Sequence, residues 1–168
     1  FARFAAEHPD HRLVLIGPVT AGAYYDEVAV EVQQMGMAEK VRIIEGLHPA
    51  DPMLPSAYKA AELFALPSLH EPFGIVVLEA WAAGLPVLAG KLGGIIDFAT
   101  DGQTALLVDS EDEEAIVRGM TELADDETLR NRLSRNALNA VGNYGWNAVS
   151  ARIREIYEGV IRERHTRR

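Results

Sequence analysis

Five apolar runs punctuate the chain, and each is only long enough for a strand: Leu13–Ile16, Val41–Ile44, Leu63–Leu66, Val87–Ala89 and Ala105–Val108. The stretches between them follow a helical period instead. Tyr25, Val28, Val32 and Met35 recur at steps of three and four before Gly36 closes the helix, and a shorter helix is expected near Leu54–Ala60. Gly93-Gly94 open a short helix to Thr100, and Asp101-Gly102 reads as a turn. Short strands alternating with helices are the pattern of parallel pairing, because a parallel connection must cross over and a helix is the usual crossover. The fold class is therefore α/β, a parallel sheet with helices on both faces.

Beyond Val108 the chain reads as helical. Ile116, Val117, Met120 and Leu123 form one stripe, and Leu129, Leu133 and Leu138 form a second. Trp146, Val149, Ile153, Ile156, Tyr157 and Val160 form a third, on a terminal helix over 147–168 whose tail, Arg162–Arg168, is expected to fray. The 168 residues fit one domain. A net charge of −9 argues against nucleic acid as a partner, which calls for a basic footprint. Without cysteine the chain has no disulfide or thiolate metal site. No apolar run approaches the ~20 residues that span a bilayer, and no segment has the pattern of a secretory signal. The first residue is Phe1 rather than Met, which reads as a segment of something longer.

The densest chemistry lies in Glu71-Pro72-Phe73-Gly74-Ile75-Val76-Val77-Leu78-Glu79, between the third and fourth apolar runs. Pro72 and Gly74 suit a helix start, and a helix opening at the carboxyl edge of a parallel sheet aims free N–H groups at an anion. Were the whole stretch helical, Glu71 and Glu79 would lie roughly 12 Å apart along the axis. That suits grasping two parts of one elongated ligand, not acid/base work across one bond, which needs carboxylates about 5–9 Å apart. Gly17, the Gly46–His48 loop, Ser68–Ile75 and Lys91–Gly94 all follow strand ends, so they converge on one cleft in this reading.

The segment Pro67–Ala80, with Gly93-Gly94, Asp101-Gly102 and the Leu106-Leu107-Val108 strand, closely resembles the donor-binding half of family 4 retaining glycosyltransferases, which have the GT-B arrangement of two facing Rossmann-like domains. The resemblance implies a nucleotide diphosphate sugar as donor substrate, with no separate cofactor. Glu71, the candidate catalytic residue, would hold hydroxyls of the transferred sugar, and Glu79 would accept the ribose hydroxyls. Backbone N–H groups near Phe73, Gly74 and Ile75 would meet the sugar and diphosphate. Gly17, His48, Gly93 and Gly94 complete the implied donor set, with Leu47 and His48 lining the base pocket. No Asp-x-Asp pair or Cys/His cluster suggests a divalent metal, in keeping with the family's usual metal independence. Cytoplasmic localisation, beside the membrane in the full enzyme, would follow from where nucleotide sugars are made.

The resemblance also implies that a strand and its Gly-Arg…Lys-Gly loop are missing ahead of Phe1. The missing strand is central in the family's order, so a gap is expected between the Leu13 and Leu63 strands. It would close by direct pairing or by exchange with another copy. The terminal helix would pack on the absent N-terminal acceptor domain, and its stripe, exposed without that domain, would favour self-association.

Several residues carry two readings. Lys91 either reaches a phosphate or is an ordinary surface lysine, and Gly93-Gly94 either admit the donor or make a plain loop-to-helix turn. His48 lines the base pocket or is an exposed loop residue. Where the family follows the glycine pair with Pro-Glu, this chain has Ile95-Ile96-Asp97, and Thr104-Ala105 replaces a common Thr-Gly. His8, His11 and His165 read as surface residues, and Trp81 and Trp146 as packing residues. Two other functions compete with donor binding: a non-catalytic fragment serving as a dimerising or partner-binding module, and a sugar epimerase or phosphorylase of the same architecture.

Overall fold

A computed structural model describes residues 1–48 and 50–166; Pro49, in the loop expected after Gly46, and Arg167 and Arg168, in the expected frayed tail, lie outside the described residues. The elements run α1 (Ala2–Glu7), β1 (Leu13–Gly17), α2 (Gly22–Gln34), β2 (Val41–Glu45), α3 (Met53–Ala60), β3 (Phe64–Leu66), α4 (Ile75–Ala82) and β4 (Val87–Gly90). Then follow α5 (Ile95–Phe98), β5 (Leu106–Val108), α6 (Glu113–Asp125), α7 (Glu127–Val141), a single 3-10 turn (Gly142–Tyr144) and α8 (Trp146–Thr166). Among the described residues no helix is long and apolar enough to cross a membrane.

Every strand pairing is parallel, but the strands form two sheets. β1 pairs with β2 from Leu13↔Val41 to Gly17↔Glu45, and β3, β4 and β5 form the second sheet in that order. β1 does not pair with β3, so the expected gap is present and direct pairing does not close it.

The core belongs to the second sheet. β4 is buried along its whole length, as a central strand covered on both faces must be. Alternation along it sends Val87 and Ala89 to one layer and Leu88 to the other. The first layer packs Val77, Ala80 and Trp81 of α4 with Ile95 and Ala137. The second packs Phe4 with Met120, Leu123, Leu129 and Leu133. Trp81 is fully buried, and truncating a side chain of that size typically costs about 3–5 kcal/mol. From Ala6 to Phe73, by contrast, no described residue is buried, and Val14, Leu15, Tyr24 and Val30 are exposed.

The caps and stripes that frame this core follow local rules, with some departures from expectation. Asp112 and Asp126 cap α6 and α7, accepting from Ala115 N at 3.0 Å and Leu129 N at 2.8 Å. Arg130 of α7 donates to the Leu123 and Ala124 carbonyls at the end of α6. The buried stripe of α7 is Leu129, Leu133 and Ala137; Leu138 is exposed, because a strict step of four keeps the narrow contact face. Trp146 is 87% exposed, and Ile153, Ile156, Tyr157 and Val160 are exposed with it, so α8 carries the unpartnered stripe that was expected. Its helix continues through Thr166, into the tail expected to fray.

His8 and His11 are not ordinary surface residues, whereas the side chain of His165 lies outside the described residues. The His8 ring stacks on Phe4 at 4.3 Å, and His11 meets the Phe4 ring edge-on at 5.1 Å. His8 Nε2 lies 3.0 Å from Asp125 Oδ1, and its Nδ1 lies 3.2 Å from the Phe4 carbonyl. Both ring nitrogens thus face acceptors, which favours the imidazolium. The Asp125 carboxylate, aided by that carbonyl and by Glu7, holds the His8 pKa above its ordinary value against partial desolvation. His11 Nε2 lies 3.2 Å from Glu62 Oε2, without hydrogen-bond geometry.

Two predictions follow the packing. Removing residues 146–168 should cost less than about 1 kcal/mol, a shift under roughly 4 °C in a thermal melt, because no described residue of α8 belongs to either core layer. A raised folded pKa binds the proton more tightly in the folded state. Its stabilisation is therefore complete below about pH 6.5 and is lost as pH rises through the folded value. Asp125→Asn should accordingly destabilise the chain more at about pH 5.5 than at pH 8.5, read from denaturant midpoints.

Candidate functional site

The chain reverses after β3 in a turn, Glu71 to Gly74, which feeds directly into α4. Gly74 takes φ 93°, a left-handed conformation that a side chain would oppose, and it is buried against Ile95 and Phe98. Helical geometry therefore begins only at Ile75. The axial estimate for Glu71 and Glu79 does not apply: Glu79 sits on the helix, whereas Glu71 lies in the turn before it. No side chain caps the N-terminus of α4.

A second backbone segment fixes the turn. Gly94 N donates to the Glu71 carbonyl at 3.3 Å. A Cβ at Gly93 would collide with that carbonyl, and one at Gly94 would lie 2.5 Å from the Pro72 carbonyl and 2.7 Å from Phe73 Cα. The glycine pair thus lets two loops pass backbone to backbone. Its contact is with the turn, and the α5 it opens is only four residues long. The Phe73 ring rests on Phe98 at 5.4 Å, and Phe98 meets Trp81 at 5.3 Å, which ties the exposed turn to the core.

The carboxylates are both held, in different ways. Glu71 is half-buried, and its Oε1 accepts from Phe73 N at 3.3 Å, closing its own turn. Glu79 is exposed, and its Oε2 accepts from the Tyr58 hydroxyl of α3 at 2.9 Å. Burial, together with the Glu79 carboxylate, pushes the Tyr58 phenol pKa well above its ordinary value, so it remains a donor. Sequence reasoning missed Tyr58. The available signal was its place on a short amphipathic helix, where an aromatic body can pack while its hydroxyl reaches out.

Gly17 and His48 lie at the carboxyl edge of the other sheet. Gly46 N donates to the Gly17 carbonyl at 2.8 Å, joining the ends of β1 and β2. His48 is exposed, and its Nδ1 accepts from Ala50 N at 3.1 Å, which leaves Nε2 to carry the proton. Among the described residues no hydrogen bond, ion pair or ring contact joins Gly17 or His48 to the 71–94 cluster. The structure thus brings Glu71, Phe73, Gly74, Gly93 and Gly94 into one cluster, with Ile75 exposed at the start of α4. Exposed Lys91 follows β4 and lines a neighbouring cavity with Leu69, Asp109 and Ser110.

Residues 1–140 match the family described as Glycosyl transferases group 1. The chain is 31% identical over 156 residues to D-inositol 3-phosphate glycosyltransferase of Corynebacterium glutamicum, covering 91% of this chain but 37% of that protein. The chain therefore spans little more than a third of that relative's length. The solved C-terminal domain of a glycosyl transferase group 1 family protein from Francisella tularensis superposes with TM-score 0.76 at 26% identity, covering 84% of this chain and 73% of that one. Anabaena HepE, solved in complex with UDP-glucose, gives TM-score 0.81 at 22% identity over 94% of this chain and 44% of that one, a likeness of fold.

The crossing of the two loops predicts a sharp contrast between glycines. Gly94→Ala should cost about 2–3 kcal/mol, because the three atoms nearest its Cβ are all backbone. Gly17→Ala, where nothing lies within 4 Å of the added methyl, should stay within about 0.5 kcal/mol in the same chemical denaturation series.

Proposed function

The chain belongs to the group 1 glycosyl transferases, and from that premise we propose that it is the donor-binding half of a retaining, metal-independent family 4 enzyme that uses a nucleotide diphosphate sugar. The observation that carries this reading is the uncapped N-terminus of α4, which starts at the carboxyl edge of the second sheet with Glu71 ahead of it and Glu79 one turn along. Open N–H groups at a helix start favour a diphosphate, and a carboxylate accepts from the vicinal hydroxyls of a ribose or a sugar. In this assignment Glu79 takes the ribose and Glu71 the transferred sugar. Phe73, Gly74 and Ile75 offer backbone donors, while Gly93 and Gly94 hold the turn that presents them. Gly17 and His48 approach the nucleotide from the other sheet. The UDP-glucose of the Anabaena neighbour is a ligand of this class.

Transfer with retention passes through an oxocarbenium-like transition state as negative charge builds on the leaving diphosphate. Fixed donors aimed at that charge are the largest catalytic effect such a site offers. With a net charge of −9 the chain supplies little general attraction for a diphosphate. The remaining cations, the acceptor site and the N-terminal domain are assigned to parts of the enzyme outside these residues, and the enzyme to the cytoplasm. A second reading, a dimerising or partner-binding module, draws support from the unpaired edges of β1 and β3 and the exposed stripe of α8.

Calorimetric titration with UDP, GDP, ADP and their sugar conjugates separates the two. Donor binding predicts saturation by one nucleotide, weakened about tenfold or more by Glu79→Ala, the scale of a lost hydrogen bond to a charged group. Absence of binding at millimolar ligand would reject an autonomous donor site and favour the module.

A further inference from the structure

We propose that Tyr58 is a positioning residue for Glu79: its hydroxyl, 2.9 Å from Oε2, fixes the carboxylate in the orientation that receives the ribose. This inference rests on the donor-binding reading above and deepens it. Glu79 is exposed on α4, and an unrestrained glutamate there would lose considerable rotamer freedom on meeting a ligand. A phenol donating to a carboxylate makes a charge-assisted bond, shorter and stronger than a neutral one. It occupies one acceptor position on Oε2 and leaves Oε1, with the rest of Oε2, for two hydroxyls.

Tyr58 is suited to this because its own ring is held. It is half-buried against the first core layer, and its ring lies 5.7 Å from that of Phe64 on β3. The phenol stays protonated across the working range for the reasons given above, so the donor does not switch off. Its helix is anchored in turn by Asp51, whose Oδ1 accepts from Met53 N at 2.8 Å. That helix begins just after the His48 loop. Among the described residues, the Tyr58 hydroxyl makes the only hydrogen bond between α3 and α4. It thus connects the segment that follows the first sheet to the carboxylate on α4.

The test is titration of the full chain, as Tyr58→Phe, Glu79→Ala and the double variant, with UDP, GDP and ADP. The tightest of these is then repeated as its 2′,3′-dideoxy counterpart. Positioning predicts that Tyr58→Phe weakens the ribonucleotide about threefold to tenfold, leaves the dideoxy form within about twofold, and adds nothing once Glu79 is alanine. A purely structural role would weaken both forms equally, or add to Glu79→Ala, and would overturn the proposal. So would a wild-type affinity in Tyr58→Phe while Glu79→Ala loses tenfold; that result leaves the ribose assignment standing. If Glu79→Ala itself has no effect, or no nucleotide binds at millimolar concentration, the ribose assignment falls and the role of Tyr58 falls with it.

Discussion

Two stretches of backbone cross at the carboxyl edge of β3 and β4 with no room for a side chain between them, and the candidate site depends on that crossing. Gly93-Gly94 pass directly against Glu71, Pro72 and Phe73. The contact sets where Gly74 can turn left-handed, hence where α4 starts and where its open N–H groups point. Beneath the crossing, Phe98 and Trp81 connect the exposed Phe73 ring to the buried face of β4. Order is therefore transmitted from a packed strand, through aromatic rings, to a surface turn. A turn held this way loses little further freedom when a ligand arrives, which is the usual advantage of a preformed site.

Much of the fold was legible because strand and helix periods are local. Each of the five apolar runs became a strand within a residue or so, and Gly36 ended α2 with a positive φ. The gap between β1 and β3 was also anticipated, from the strand order of the family that the sequence resembles and not from any side chain. What failed were readings that needed a neighbour. Leu138 fits a helical stripe as well as Ala137 does, and only the close approach of α7 to α4 selects the smaller residue. His8 and His11 look like surface residues until Phe4, Asp125 and Glu62 are seen beside them.

The site was legible in outline and not in detail. Glu71, Gly74 and Glu79 announce a turn and a helix start, but a string of residues does not say that helical geometry waits until Ile75. Gly93-Gly94 left two readings open, and their observed contact is with backbone. Tyr58 was invisible because its partner is distant in sequence and on another helix. Trp146 shows the opposite error: a large aromatic at helical spacing was assigned to packing, yet no described element covers it.

The divided sheet changes what a ligand does to this molecule. Gly17 and His48 lie at the carboxyl edge of one sheet, Glu71 and Glu79 in the turn and helix that follow β3 of the other, and the β1–α2–β2 unit has no buried residue of its own. Anything that grips both edges at once supplies a link across the gap that strand pairing among the described residues does not. A ligand that does so acts on the fold as well as on the site, because whatever binds only the folded state raises its stability.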